Sequence, residues 1–234
     1  MNITLEIKGR AIVDIMRDNG ICCSLLTISV RREGRKFIDE ILGEHIRQFY
    51  PILDQMEINP SKVPDAETRK RHLQNLKTTC HSLLCRIVER IHDLPSNLAA
   101  ILSMMNIEFS DGSQDRELFG VLSKDILPGV CALSPIRGSS ELAQTILATV
   151  FFIRYLIPAL TTPESHNLIE EYKITSSQRR GLILCGKIIS NMSTGTEFGA
   201  KEEFMAELNP FLIEDRPLIE EILQNIVLNV SLSY

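Results

Sequence analysis

The sequence predicts an all-α protein, a single domain built from packed helices with short connections. Its longest periodic segment runs from about Ala66 to Ile91, where apolar side chains recur every three or four residues, as on a core-facing helix. Strand signals are poor, because polar–apolar alternation is rare and aromatic residues make up only 6% of the chain. No internal repeat divides the 234 residues, a length that can bury a sizeable core.

The pattern of apolar and polar residues before Ala66 predicts two helices separated by polar segments. Residues 2–18 are amphipathic, and Asn19-Gly20 ends that pattern. Residues 30–36 (Val-Arg-Arg-Glu-Gly-Arg-Lys) are predicted to form a charged loop, and a helix is predicted from about Lys36 to Phe49. The expected inner face of that helix consists of Phe37, Ile38, Ile41, Leu42, Ile46 and Phe49. Two prolines mark residues 57–66 as a loop.

Further helices are predicted after the Ala66–Ile91 segment. One follows Pro95-Ser96 through Met105, another runs from about Leu142 until Pro158 ends it, and the last covers Pro217–Leu228. Residues 108–141 are open to two interpretations, an insertion or a helix whose position the pattern does not fix.

Composition and charge restrict the kinds of partner. The formal net charge is −5, so neither nucleic acid nor an anionic membrane is expected as the main partner. No apolar run is expected to reach the roughly 18 to 20 residues of a membrane span. The N-terminus lacks the order of a signal peptide. We therefore expect a cytoplasmic protein with no integral membrane segment.

The spacing of cysteines and histidines argues against several kinds of site. The six cysteines form no Cys-x-x-Cys pair and are interpreted as reduced thiols. Cys80, His81 and Cys85 do not supply the ligand set of a structural zinc site. The five histidines lie in no motif with a serine or cysteine nucleophile, and the sequence contains no Gly-x-x-x-x-Gly-Lys-Ser/Thr phosphate loop. A hydrolase triad, a bound metal and a cofactor are therefore not expected.

Arg154 is the unusual residue of the helix that ends near Pro158, because it is the one charge on a very apolar segment. A buried guanidinium is costly unless carbonyls or carboxylates accept its hydrogen bonds. The alternative is an arginine at a helix end that keeps its charged group in water.

Three groups of residues around and after Arg154 occur in a familiar order. They are Phe152-Ile-Arg154 with Pro158-Ala159, then Gln178–Leu182 with Lys187, then Phe198, Lys201–Glu203, Met205 and Asn209–Leu212. This series resembles Ras-type GTPase-activating (RasGAP) domains, and the second group resembles their neurofibromin-like and IQGAP-like branches in particular. Ile157 departs from the pattern, since the family often has Asn or another small residue at this position.

The resemblance implies one RasGAP-like helical domain over residues 1–234. Such a domain docks a Ras-family small GTPase in its GTP-bound form and stabilises the transition state of GTP hydrolysis. Recruitment by that partner to the inner face of the plasma membrane is a further expectation. Two alternatives remain open: a catalytically inactive module of the same fold that binds the active GTPase as a scaffold or effector, and an unrelated helical scaffold with an accidental match.

The resemblance also implies roles for individual residues. If Lys36 is matched to the family's finger-loop lysine, Ser29 occupies the finger position, whereas a shift of two residues places Arg31 there. Arg31 is therefore the candidate arginine finger, and the alternative is that residues 30–36 form a solvated charged turn. Arg154 would support the finger loop by bonding its backbone. GTPase binding would fall to Lys187, Arg180, Pro158 and Ala159, although surface charge is the alternative for the two basic residues.

Overall fold

A computed structural model describes residues 21–109 and 140–231, and the regular secondary structure in these ranges is entirely helical, which confirms the all-α prediction. The helices are α1 (Ile21–Glu33), α2 (Arg35–Ile38), α3 (Glu44–Phe49), α4 (Ala66–Arg90), α5 (Ser96–Phe109), α6 (Ser140–Ala148), α7 (Ile157–Thr161), α8 (Ser176–Thr194) and α9 (Asn209–Ser231). π-Helical stretches lie at Asp39–Gly43 and Thr149–Leu156, and 3-10 stretches at Tyr50–Ile52, Ile91–Asp93, Pro163–His166 and Ala200–Leu208. The predictions for residues 2–18 and for most of residues 108–141 fall outside the described residues.

Helix α4 is the long core helix that the apolar periodicity predicts. It begins where the Asp65 side chain accepts a hydrogen bond from the Thr68 backbone N–H at 2.8 Å, an N-cap that satisfies one unpaired donor of the first turn. Its inner face is buried, with Leu76, Cys80, Leu83, Leu84 and Ile87 each at most 1% exposed. The prediction for this segment is confirmed.

The predicted helix from Lys36 to Phe49 is also confirmed, although it is less regular than expected. It consists of α2, the π-helical stretch Asp39–Gly43 and α3 in unbroken succession. All six residues of its predicted inner face are buried. The polar segment between this region and α4 is irregular, as its prolines indicate.

The prediction of a charged loop at residues 30–36 is wrong. Helix α1 continues to Glu33, the Gly34 N–H still bonds the Val30 carbonyl at 2.9 Å, and α2 begins at Arg35. Arginine is a good helix former, and Val30 is 1% exposed, so packing of one apolar side chain keeps this charged segment helical. Arg31 therefore projects from the last turn of a helix.

The prediction that Pro158 ends its helix is wrong as well, because α7 continues to Thr161. Proline has no N–H for the carbonyl four residues earlier, and its ring crowds that carbonyl. The preceding π-helical stretch changes the register, so that the Ile157 N–H bonds the Phe152 carbonyl five residues back. Pro158 then lies in the first turn of α7, where a missing N–H costs little.

The C-terminal helices α8 and α9 both pack against the core helix α4. Thr175 and Gln178 form a reciprocal capping box at the start of α8. Gly181 of α8 packs so closely that a Cβ atom there would lie 2.2 Å from the Leu53 carbonyl oxygen. The predicted final helix is longer than expected, since α9 begins at Asn209 and contains Pro217 in its interior.

The segment Gln144–Thr161, which runs from α6 through α7, is the one described stretch long and apolar enough to cross a membrane, with a mean hydropathy of 1.4. A core helix meets the same two criteria of length and composition, and no clear membrane span is evident in the part of the chain that the structure describes. Of this window, 61% is buried inside the protein, which is the environment of a core helix.

Candidate functional site

The junction between α1 and α2 is fixed to the core by Tyr155. The Tyr155 hydroxyl donates a hydrogen bond to the Gly34 carbonyl oxygen at 2.6 Å, and the ring is only 2% exposed. Burial raises the pKa of Tyr155, so the phenol remains a donor. A Cβ atom on Gly34 would lie 2.2 Å from that hydroxyl oxygen, so the close approach requires glycine. The backbone beside Arg31 is thus held by a bond from the π-helical stretch.

Arg31 lies between two adjoining clefts. The first, of about 170 Å³, is lined by Arg31, Arg35, Ile38, Tyr155, Ala159, Ser165, His166 and Asn167. The second, of about 230 Å³, is lined by Thr27, Arg31, Thr149, Ile153, Arg154 and Pro158. The Arg31 side chain is exposed, and its guanidinium has no hydrogen-bond or ion-pair partner in the part of the chain that the structure describes. It is therefore available to a ligand that enters either cleft.

The two clefts have a cationic lining. Neither is lined by an aspartate or glutamate among the described residues, whereas Arg31, Arg35 and Arg154 all contribute. A concave surface with one sign of charge concentrates ligands of the opposite sign. Guanidinium groups also present paired donors that match the oxygens of carboxylates and phosphates. The arrangement is suited to an anionic group such as a phosphoryl group.

Arg154 lies half-buried in the π-helical stretch, and its Nη1 atom is 3.5 Å from the Thr27 hydroxyl oxygen on α1. This contact joins the π-helical stretch to α1, and the bond from Tyr155 joins the same stretch to the α1–α2 junction at Gly34. The neighbouring residue Tyr155 makes a direct bond to the backbone that follows Arg31, at the Gly34 carbonyl oxygen, which is the kind of bond that the family resemblance implies for Arg154. The supporting role of Arg154 stays a prediction, with the Thr27 contact as its structural basis.

The structure brings four of the six predicted site residues together. Pro158 lines the second cleft and Ala159 lines the first, beside Arg154 and Arg31. All four lie on α1, the π-helical stretch and α7, and the π-helical stretch contacts both of these helices.

The other two predicted residues lie on α8 and form ion pairs within the protein. Arg180 Nε is 2.9 Å from a carboxylate oxygen of Glu57, and the Arg180 side chain is 28% exposed. Lys187 pairs with Glu202 of the 3-10 stretch and is 40% exposed. Neither lines the two clefts described above, although α8 packs on α7 and a Cβ on Gly186 would contact α7 side chains. Their role in GTPase binding stays a prediction.

Sequence reasoning missed Tyr155, Gly34 and Arg35. Tyr155 directly follows the Phe-Ile-Arg motif, and Gly34 interrupts a charged run, so each carried a local signal. Arg35 follows Arg31 by one helical turn, the spacing that places two side chains on one face. No group of three or more metal-ligating side chains that could hold an ion occurs within residues 21–109 and 140–231.

Comparison with known proteins adds to this geometry. The model of the RasGAP family, described as GTPase-activator protein for Ras-like GTPase, matches residues 65–194. The match includes Arg154, Pro158, Ala159, Arg180 and Lys187, and it begins after Arg31.

Individual relatives match over a longer part of the chain. A human Ras GTPase-activating protein, nGAP, is 28% identical over 204 residues, which are 87% of this chain and 16% of that protein. The mouse Disabled homolog 2-interacting protein is 26% identical over 198 residues, 85% of this chain and 14% of that protein. The Caenorhabditis elegans Ras GTPase-activating protein gap-2 is 22% identical over 200 residues, 85% of this chain and 14% of that protein. The chain thus spans a small part of the length of the curated relatives it matches.

The family model covers more than half of the chain, on the helices that carry the Phe-Ile-Arg motif and its sequel. The resemblance of the sequence to this family is confirmed. This chain belongs to the RasGAP family, the GTPase-activator proteins for Ras-like GTPases.

Proposed function

We propose that this chain accelerates GTP hydrolysis by a Ras-type small GTPase, with Arg31 as the residue that enters the nucleotide site. The observation that carries the proposal is the position of Arg31. It is exposed, and it is unpaired among the described residues. It lies where two clefts meet beside the family's Phe-Ile-Arg motif, and no aspartate or glutamate of residues 21–109 and 140–231 lines either cleft. The names of the relatives support the same activity.

The mechanism follows from where charge develops. During hydrolysis, negative charge builds on the phosphoryl oxygens, and a positioned guanidinium stabilises that charge more than it stabilises the ground state. In Ras-type GTPase pairs, from which the general value comes, such an arginine is worth about 10³ to 10⁵ in rate. Its effect depends on a rigid support, because a misplaced group loses much of the benefit. Tyr155 and Arg154 supply that support by joining α1 to the core.

The partner is inferred to be a Ras-family GTPase in its GTP-bound form, since only that state carries the phosphoryl group that Arg31 would meet. We also infer a cytoplasmic location, with recruitment to the inner face of the plasma membrane by the partner. Assignment to the neurofibromin-like or IQGAP-like branch rests on the Gln178–Lys187 motif and stays a prediction. The two relatives with the highest identity reported above are not named as neurofibromins or IQGAP proteins.

The test compares three arginines of one segment. Arg31→Ala is expected to lower the stimulated single-turnover hydrolysis rate by at least about 10²-fold, the low end of what finger arginines supply. A binding titration against the GTP-loaded partner should change little, because the interaction belongs to the transition state. Arg32→Ala is the matched control: Arg32 is 80% exposed and pairs with Glu33 at 2.9 Å, and it lines neither cleft. Arg35→Ala tests whether the other arginine of the first cleft shares the role.

Two results would contradict the proposal. If Arg31→Ala keeps the full stimulated rate, another residue supplies the charge. If the unaltered chain binds GTP-loaded GTPases across a panel of small GTPases but accelerates none of them, the chain is a binding module and has no activator role.

A further inference from the structure

A second group of polar side chains lies on another part of the molecule and plays no part in the proposed activity. The Cys85 Sγ atom is 3.5 Å from His81 Nε2, and His81 Nδ1 is 2.9 Å from an Asp215 carboxylate oxygen. The three groups therefore form a continuous chain from thiol to imidazole to carboxylate. A nucleophile, a base within hydrogen-bond reach and a third group that orients the base make up the usual arrangement of an activated nucleophile.

Local and tertiary structure each supply one link of this chain. His81 and Cys85 are four residues apart on α4, a spacing that places both side chains on one face of the helix. Asp215 comes from α9, which packs along α4. Its carboxylate is 8% exposed, so it is a fixed acceptor, whereas the His81 side chain is 55% exposed. An acceptor on Nδ1 favours the tautomer in which that nitrogen carries the proton and leaves Nε2 free to take the thiol proton.

We propose that Cys85 is an activated nucleophilic thiol, with His81 as its base and Asp215 as the positioning residue, and that it forms mixed disulfides with small disulfide compounds. Cys85 is half-buried, so a small reagent can reach it, whereas Cys80 and Cys185 are at most 1% exposed. Thiol–disulfide exchange needs a thiolate and access and no oxyanion site.

The charges around Cys85 make formation of its thiolate depend on His81. They also determine which disulfide reagents Cys85 prefers. Burial raises the pKa of the Cys85 thiol, and the carboxylates of Asp215, Glu89 and Glu221 raise it further. A thiolate without an adjacent cation is therefore disfavoured, and the reactive form is the thiolate paired with protonated His81. The same carboxylates attract a cationic disulfide and repel an anionic one. Cystamine, with two amino groups, is the matching reagent.

The exchange reaction is balanced as follows. The Cys85 thiol proton moves to His81 Nε2, and the thiolate attacks one sulfur of cystamine. A new S–S bond joins Cys85 to one cysteamine unit, while the S–S bond of cystamine breaks and its other half leaves as a thiolate. That thiolate takes the proton from His81. Cys85 is oxidised and the departing half is reduced, so no further oxidant is needed.

The experiment follows adduct formation on the whole chain by mass spectrometry with fragmentation of the peptides, because the chain has six cysteines and Cys80 lies only five residues from Cys85. With cystamine near neutral pH, Cys85 is expected to react at least about 10-fold faster in the unaltered chain than in His81→Gln, below the about 10²-fold that a positioned base often supplies. Asp215→Asn should give a smaller loss. The rate ratio of cystamine to the neutral reagent hydroxyethyl disulfide should be larger at Cys85 than with a small thiol free in solution, because the more acidic leaving thiol of cystamine already favours it there. Cys85→Ser removes the adduct at position 85.

The pH profile separates an activating histidine from a structural one. A thiol–imidazole pair that shares one proton reacts at a rate nearly independent of pH over the range in which it keeps that proton. A lone thiol must ionise first, so below its pKa the rate falls about tenfold per pH unit. The proposal expects the flat profile in the unaltered chain and the steep profile in His81→Gln. Equal profiles for the two proteins, or a Cys85 that reacts no faster than buried Cys80 and Cys185, would overturn it.

Discussion

The stability of this protein should fall on mild acidification because of one buried histidine. His45 on α3 is 1% exposed, and neither ring nitrogen has a hydrogen-bond partner among the described residues. Its ring lies against Phe49, with centroids 4.7 Å apart. Burial, and secondarily the charge of Arg86, lowers the pKa of His45 from 6.5 to about 3. The folded protein therefore holds this imidazole neutral under conditions in which the unfolded chain protonates it.

The direction and size of the effect follow from linkage. Between about pH 6.5 and pH 3 the unfolded state binds more protons than the folded state, so stability falls as the pH falls. Each pH unit within this window costs about 1.4 kcal/mol per group. Because the loss begins near the unfolded pKa, His45 should account for roughly 2 kcal/mol of lost unfolding free energy between pH 7 and pH 5.

The assay is urea unfolding of the unaltered chain and of His45→Leu at several pH values in this range. The measurements stay between pH 7 and pH 5, because carboxylates whose pKa is lowered in the folded state, such as Glu57 and Glu171, lose their contributions only as the pH falls through the ordinary value of 4.5 and below. His45→Leu keeps a similar volume and removes two unpaired polar atoms, so it should abolish the His45 share of the pH dependence. His92→Gln, at an exposed position, is the control and should leave the slope unchanged. An unaltered slope in His45→Leu would refute the reasoning.

Three further predictions concern the candidate site. Tyr155→Phe should lower the free energy of unfolding by only about 1 kcal/mol, because the Gly34 carbonyl oxygen still accepts a hydrogen bond from the Ile38 N–H. The same change should reduce the stimulated hydrolysis rate, and an unchanged rate would show that the α1–α2 junction does not need the bond from Tyr155. Arg154→Ala should lower both the stimulated rate and the melting temperature, because it removes the contact of Arg154 with Thr27 on α1; if both values stay unchanged, a supporting role is ruled out. Lys187→Gln should weaken binding of the GTP-loaded partner by more than Glu202→Gln does, and equal effects would mean that the pair has only an internal role.

Much of the helical framework is predictable from the sequence, because the signals are local. Apolar residues every three or four positions predict α4 and the buried face of the segment from Lys36 to Phe49, and both are as expected. The order of the Phe-Ile-Arg, Gln-Arg-Arg and Asn-Pro-Phe motifs was likewise sufficient to indicate the family.

Local signals failed where packing competes with propensity. The charged segment around Arg31 is polar enough to suggest a loop, but burial of Val30 keeps it helical up to Glu33. Pro158 is a strong breaker, but a change of hydrogen-bond register before it lets the helix continue. Sequence position alone gave no sign of either compensation.

By itself, the sequence determined the helical class, the core-facing residues and the family, since each depends on spacing along one segment. Only the tertiary structure decided which side chains meet. Tyr155 reaches Gly34 across 121 positions, and His81 reaches Asp215 across 134. The same holds for the ion pairs that engage Arg180 and Lys187. Such contacts arise from the packing of helices distant in sequence, and no periodicity within one helix specifies the residue it meets on another.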